Sequence, residues 1–562
     1  MAGQGWDIET DVLVVGSGAG ALTTAVTAAG HGSQVIVVEK DDQFGGTSAT
    51  SGGVLWWPAT DSAIEHGSDD TPEDGFNYIR QLSDPHVPDA KIRAYANGSN
   101  EMVRWLTENS EFRCHAMQYS DYHPELPGGK TGWRSHDVEP LDARLLGGEF
   151  KYLRAPHPSV CLSGRVCWTA SECGMLLLRY PGWFKLLMKL IITYALDLPY
   201  RFTSKRDRRL TLGNAVIGRL KYSLDKKGVP LWRRTPLVEL VREEGRVTGA
   251  VVERDGKPYR VRTRRGIVLA TGGFERNQAM RDQYIPGSRA EWTGAQKNNT
   301  GDGINAGVKV GAATAAMDSA WWAASLVLPG EDRARILAYE RALPGCFVVN
   351  QAGDRYQNEA QSYHISGIEM MKKNQPGART VPSYIIFDGR YRRYYPMGPL
   401  LPNVPDVFFP SLINKVIMKA PTLEKLAEKI GVPPARLKAT TERHNQFART
   451  GKDEDFGRGD SAYDRYFGDP KVTPNPNLFP VEEAPFYAIP FYPGDLGTNG
   501  GLVTNENSQV MDPQGNPIPG LYATGNTTAS IMGHSYPGAG ATLGPAMFFG
   551  FAAGKHVAGA NT

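Results

Sequence analysis

Asp11 to Val15 is a short β-branched apolar run, and Gly16-Ser17-Gly18-Ala19-Gly20-Ala21 follows it at once. An apolar helical stretch, ALTTAVTAAG, ends at Gly30, and a second apolar run, Gln34–Val38, closes on Glu39. The pattern predicts strand, glycine turn, helix, strand and acid. Gly16 permits the tight turn, and Gly18 lets a pyrophosphate approach the backbone. Ala21 keeps the helix close to the sheet, and the helix N-terminus faces the phosphates. Glu39 falls about 20 residues beyond the glycines, where a carboxylate accepts hydrogen bonds from ribose hydroxyls. These residues predict a dinucleotide site.

Asp41–Gly53 reads DDQFGGTSATSGG, too long and too rich in glycine and hydroxyls for a simple strand connection. After Lys40, the amides and hydroxyls of Gly45, Gly46, Thr47, Ser48, Ser51, Gly52 and Gly53 are placed to line more phosphate and the ribityl chain. The bland alternative is a surface loop. The apolar run Gly266–Ala270 leads into Thr271-Gly272-Gly273-Phe274, and Gly520–Asn526 repeats the pattern, with Gly525 and Asn526 ahead of a helix. Three separated glycine turns on one ligand suit a long cofactor whose reactive ring lies far from its phosphates. That predicts FAD rather than NAD.

The nucleotide pattern stops near Leu55–Pro58 and returns after Arg234 with strands at Leu237–Val241 and Val247–Val252. It breaks again from about Met280 to Ala484, around a strand-turn pattern at Cys346–Asn350, Gly353 and DRYQNE. The expected organisation is a nucleotide-binding domain over 1–279 and 485–562, interrupted by a second domain over 280–484. Within the first part, about 155–229 stands out. Gly182–Leu198 reads GWFKLLMKLIITYALDL, with Lys185, Lys189, Thr193 and Asp197 on one narrow stripe and apolar residues such as Phe184, Leu187, Ile191 and Leu198 elsewhere. It is short for a membrane span. Arg201, Lys205, Arg206, Arg208 and Arg209 follow. The expectation is a helix lying in a bilayer surface, lysines snorkelling and arginines on anionic head groups. The alternative is a buried helix or a subunit contact.

Composition narrows the classes. The chain has 562 residues, 41% hydrophobic and 22% charged, which excludes long disorder or a collagen-like repeat. At about 150 residues per domain it holds three or four folding units. Its 62 Lys+Arg against 59 Asp+Glu leave a net charge of +3, with no field to attract nucleic acid. Five cysteines include no CxxC pair, so no metal site is expected, and the run Cys161, Cys167, Cys173 reads as packing. The apolar run at Asp11 has acids rather than bases ahead of it, a strand and not a signal peptide. A cytoplasmic location follows, on the inner face of the membrane if the 155–229 stretch docks there.

Gly533-His534-Ser535-Tyr536-Pro537-Gly538-Ala539-Gly540 precedes ATLGPAMFFGFAAG, a helix by pattern. A glycine turn opening a helix presents free N–H groups. Tyr536 and the Gly540 amide are therefore placed to grip a carbonyl oxygen and stabilise an enolate. The alternative is a plain helix-start turn with Tyr536 in the core.

The GGTS segment after Glu39, with the ATGG and YATGN turns, resembles the flavoprotein family of fumarate reductases and 3-ketosteroid dehydrogenases, from about Asp11 to Val557. The GHSYPGAG segment resembles the YPGPG turn of 3-ketosteroid Δ1-dehydrogenases, with Ala539 where a proline is common, and the chain is most similar to the type acting on cholest-4-en-3-one. The resemblance implies an α/β fold: a Rossmann-like FAD-binding domain interrupted by a second, α+β capping domain, the active site lying between them at the flavin ring. It implies that Tyr536 and the Gly540 amide bind the ketone at steroid carbon 3. Tyr363, in NEAQSYH, becomes the proton-abstracting residue, and Tyr122, in SDYHPELPGG, its helper, with Tyr119 as rival. It also implies cofactor contacts from Asp302, in NTGDGI, and from Leu543. The flavin then takes hydride from the next carbon, and an unidentified electron acceptor reoxidises it.

Within the fold, fumarate reduction needs cations around a dicarboxylate. Here Trp56, Trp57, Trp321 and Trp322 are expected to wall a pocket for a large apolar substrate such as a sterol-type 3-ketone. A Δ4-dehydrogenase or another flavoenzyme of the group is the enzymatic alternative, and a membrane-associated sterol-binding protein carrying flavin without turnover is the non-enzymatic one.

Overall fold

The computed structural model describes residues 5–162 and 164–560. Strand Ile8–Val15, helix Ala19–Gly30 and strand Val35–Val38 follow one another at the N-terminus. Five parallel strands stand side by side in the order Leu231–Trp232, Val35–Val38, Ile8–Val15, Lys257–Leu269 and Pro517–Ala523. Alternate residues of the first strand serve different cores: Val12 and Val14 pack into one, Leu13 and Val15 into the other. A parallel sheet covered on both faces requires this, and it explains the unbroken apolar run. The start of Lys257–Leu269 carries an antiparallel meander with Leu237–Glu243 and Arg246–Arg254.

Two close approaches fix the sheet to its helices. Gly16 has φ 111°, and a Cβ there would lie 2.1 Å from the Ala270 carbonyl oxygen. The last helix, Leu543–Val557, presses on the first so tightly that a Cβ on Gly20 would sit 2.8 Å from the Ala546 oxygen.

A second sheet gathers Ala320–Leu326, Cys346–Val349, Ser383–Phe387 and Phe486–Thr498. The long strand Phe486–Thr498 pairs antiparallel with both Ala320–Leu326 and Ser383–Phe387. This moves the expected boundary at 485. The chain re-enters the nucleotide sheet only after Thr498, at Gln509–Met511 and Pro517–Ala523.

The stretch 155–229 is not one unit. Its last part, helix Leu212–Lys226, is almost wholly buried against the first helix and the short helix Gly46–Thr50. A Cβ on Gly213 would lie 2.1 Å from the Ser48 oxygen, and one on Gly53 2.1 Å from the Leu212 backbone. The glycine-rich segment after Glu39 is therefore seated on this helix, which belongs to the nucleotide domain and not to an insertion. The protruding part is the pair Ala170–Leu178 and Trp183–Leu196, and of the second helix only Leu190 is buried. Phe184, Met188, Ile192 and Leu196 form an exposed row four residues apart, and Phe202 beyond them is 89% exposed.

The basic cluster departs from expectation. Arg201 and Arg208 both bind Asp197, and Arg209 binds Glu172 at 2.9 Å. Arg206 donates to the Leu153 carbonyl and to Asn214, each at 2.6 Å. Four of the five cations are thus committed to internal partners rather than presented to head groups. Cys161 and Cys167 face each other across a short hairpin, Sγ atoms 3.1 Å apart.

Candidate active site

One cavity of about 1510 Å³ runs from the nucleotide sheet to the protruding helices. At its inner end lie Gly16 to Ala21, Glu39, Lys40, Gly46, Thr47, Ser48, Ser51, Gly52 and Gly53. Ala270, Thr271, Gly272, Asp302, Gly525, Asn526 and Leu543 complete that end. The runs that follow four of the parallel strands therefore share one wall, because those strands end at the same edge of the sheet, and Asp302 and Leu543 join them from helix starts. Gly45 is the exception. It stands behind the wall, where its amide donates to the Ser17 hydroxyl at 2.9 Å.

The inner end fits FAD. A Cβ on Gly46 or Gly52 would meet nothing within 4 Å, so the backbone there lies open to a ligand. Glu39 is half-buried at the cavity, held by the Ser17 hydroxyl and the Asp41 amide, and desolvation pushes its carboxyl up. Lys40 pairs with Asp302 at 2.5 Å and with the Thr300 hydroxyl at 2.9 Å, joining the first sheet to the helix Asp302–Lys309. Those two residues line the cavity as an ion pair, not as separate charges.

The tyrosines meet midway along the cavity. Tyr363 is the first residue of helix Tyr363–Lys372, whose Ser362 cap accepts from the Ile365 amide. A phenol at a helix N-terminus sits where negative charge is favoured. The Tyr122 hydroxyl donates to the Tyr363 oxygen at 2.7 Å. Tyr363 and Tyr536 both line the cavity, rings 5.5 Å apart and nearly perpendicular, while Tyr122 lies behind Tyr363. Burial pushes the Tyr363 phenol up to about 12, and the Tyr122 and Tyr536 hydroxyls and the Arg341 charge pull it back. Burial holds the Tyr122 and Tyr536 phenols well above the ordinary value as well. Tyr119 lines the cavity too, but its ring packs on Tyr466 at 4.9 Å and its hydroxyl makes no bond to Tyr363.

Tyr122 is placed by its backbone. Its amide donates to the Pro537 carbonyl at 2.8 Å, and the Tyr78 hydroxyl reaches the same oxygen at 2.7 Å. Asp121, one residue earlier, receives Arg134 at 2.8 Å and the Trp56 indole at 2.7 Å, and Arg134 also binds Asp70. Gly540 has φ 98°, and a Cβ there would strike the Leu55–Trp56 backbone at 2.6 Å. Its amide has no protein acceptor among the described residues, and it borders the cavity beside Tyr536.

None of the four expected tryptophans walls the pocket. Trp56 and Trp57 are fully buried, their indole N–H groups held by Asp121 and by the Gly544 carbonyl. Trp321 donates to Asn526 at 3.2 Å behind Tyr536, and Trp322 packs under Gly367. Leu176, Leu177, Trp183, Leu187, Leu401 and Phe409 wall the outer end instead. Leu187 thus faces the cavity rather than the exposed row. Tyr463, with its ring 4.9 Å from Tyr122, completes the aromatic cluster; only its tertiary position marks it, since SAYDRY carries no motif. Among the described residues no group of side chains could hold a metal ion.

Such an arrangement defines a class, the flavoprotein oxidoreductases whose substrate meets FAD beside a proton-transfer group. The chain belongs to the FAD binding domain family, matched over residues 11–543. It is 40% identical to the 3-oxosteroid 1-dehydrogenase of Mycobacterium tuberculosis (strain ATCC 25618 / H37Rv), over 98% of each chain. It is also 35% identical to the 4-oxocyclohexanecarboxylate 2-dehydrogenase of Sinomonas cyclohexanicum, over 98% of this chain and 93% of that one. The crystal structure of 3-ketosteroid delta1-dehydrogenase from Sterolibacterium denitrificans in complex with 1,4-androstadiene-3,17-dione matches with a TM-score of 0.95 and 43% identity. The match covers 98% of this chain and 100% of that one, so 155–229 is not private to this chain.

Proposed function

We propose that the protein desaturates 3-ketosteroids between carbons 1 and 2. The observation that carries this reading is the Tyr122–Tyr363 hydroxyl bond of 2.7 Å, set opposite Tyr536 in a cavity continuous with the flavin wall. Tyr536 and the Gly540 amide receive the carbon 3 oxygen, which makes the carbon 2 proton more acidic. Tyr363, as phenolate, takes that proton onto its oxygen, and Tyr122 stabilises the anion by donating to it. FAD, when bound, supplies the acceptor for the hydride leaving carbon 1. The remaining electron pair closes the carbon 1–carbon 2 double bond.

The steroid preference over a small cyclic keto acid is supported by the outer cavity, whose aliphatic and aromatic walls leave room for a fused-ring substrate. The same walls support a sterol-type ketone with a long apolar side chain. The exposed row Phe184, Met188, Ile192 and Leu196 supports docking of that end on a lipid surface, from which such a substrate enters. No described helix is long and apolar enough to cross a membrane.

Anaerobic addition of a 3-keto-4-ene steroid should bleach the flavin absorbance of the wild type. Tyr363→Phe should keep FAD and steroid affinity while flavin reduction slows by at least about a hundredfold. A near-normal rate in that variant overturns the reading of Tyr363, and an unbleached wild type would leave a carrier.

A further inference from the structure

Arg341 lies in the short turn Glu340–Ala342 and is 1% exposed. Its Nη1 donates to the carbonyls of Glu359 at 2.7 Å and Gln361 at 3.0 Å, and its Nε to the Leu337 carbonyl at 3.3 Å. Gln361 immediately precedes Ser362, the cap of the helix that opens with Tyr363. The neighbouring buried guanidinium groups are paired differently. Arg355 binds Glu359 and Asp453, each at 2.7 Å, and Arg458 binds Glu359 at 3.2 Å. Among the described residues no carboxylate stands within 4.0 Å of the Arg341 nitrogens. Carbonyl oxygens satisfy N–H donors without cancelling charge, so Arg341 places an uncompensated cation in the core. A core of apolar side chains would avoid that cost.

We propose that Arg341 is a positioning residue for Tyr363, its guanidinium holding the segment that carries the phenol and supplying the positive charge that favours the phenolate. The inference rests on reading Tyr363 as the proton acceptor. The groups facing Arg341 are Tyr463, Glu340, Arg458 and Glu359. Glu359 is already shared by two other guanidinium groups, and burial pushes the Glu340 carboxyl up to about 7, which weakens it as a counter-ion. The groups facing Tyr363 are the hydroxyls of Tyr122, Tyr536, Tyr463 and Tyr119, with His364 next in sequence and held neutral by burial, its ring pushed down to about 4. Of all these neighbours of Tyr363, only Arg341 carries a charge at neutral pH.

The test is the pH profile of anaerobic flavin reduction by 4-androstene-3,17-dione. In R341M the acid limb should move at least about one unit toward alkaline pH, so that the rate falls about tenfold at every pH well below the phenol's range at about 12. R341K keeps the charge and should keep the wild-type midpoint. A merely structural arginine would leave R341K as slow as R341M, and an R341M rate within about twofold of wild type at neutral pH overturns the proposal. Where R341M does not retain FAD, R341K decides: a displaced midpoint despite the retained charge overturns it equally. If Tyr363→Phe keeps the wild-type rate, the reading of Tyr363 fails instead; if that variant is slow and R341M is unshifted, only the role of Arg341 fails.

Discussion

Tyr536 reaches its place with its ring 4.9 Å from Trp321, 5.3 Å from Tyr122 and 5.5 Å from Tyr363. A ring fixed on three sides can hold its hydroxyl as a preorganised donor. Tyr536→Phe should therefore raise the barrier by about 2–4 kcal/mol, the range for losing one oxyanion donor. The loss should fall on kcat; if it appears only in KM, Tyr536 orients the steroid and no more. As the proposed proton acceptor, Tyr363 should set the pH dependence. Its phenol is pushed up to about 12, so the reactive phenolate fraction grows as pH rises, and flavin reduction should still be accelerating at about pH 9. A rate that levels off near neutrality would show that another group takes the proton. Tyr122, Tyr363 and Tyr536 were legible because each sits in a recognisable string of neighbours. Tyr463 and Arg341 were not, since nothing local distinguishes them and only the folded chain brings them beside Tyr363.

Behind the segment at Asp121–Tyr122, the buried trio Asp70, Arg134 and Asp121 acts as a fixed strut. Arg134 is wholly inaccessible and binds Asp70 at 2.5 Å and Asp121 at 2.8 Å. Removing the cation leaves two carboxylates buried together, so Arg134→Met should cost about 3–5 kcal/mol of stability. Thermal unfolding followed by flavin fluorescence measures this, and a melting point unchanged from wild type would show that the strut bears nothing. The first strand, first helix and glycine turns were readable because period and turn chemistry are local properties. The tryptophans were misplaced because an apolar residue looks the same in sequence whether it fills a core or walls a cavity. The arginines after Asp197 were misread for a related reason: charge is visible along the chain, but the turns that bring Asp197, Glu172 and Asn214 onto these side chains are not.

On the scale of the molecule, the helix Trp183–Leu196 turns Trp183 and Leu187 to the outer end of the cavity and the row Phe184, Met188, Ile192 and Leu196 to solvent. Changing these four to Ser or Gln should remove the protein from floated liposomes and reduce activity on long-chain 3-ketosterols more than on short-chain steroids. If both proteins stay out of the lipid fraction and act alike, the row is a contact with another protein surface. The crossing between domains was legible only roughly, because strand Phe486–Thr498 carries the same apolar character as the strands of the nucleotide sheet it does not join. The tight seating of Leu543–Val557 on Ala19–Gly30 has a consequence in time as well as in space. The nascent chain exposes its glycine turn and first helix long before Ala546, against which Gly20 packs, has been made. The sheet, too, waits for Pro517–Ala523. The flavin therefore has no complete berth until the second domain has been made entire, and cofactor capture follows the synthesis of both.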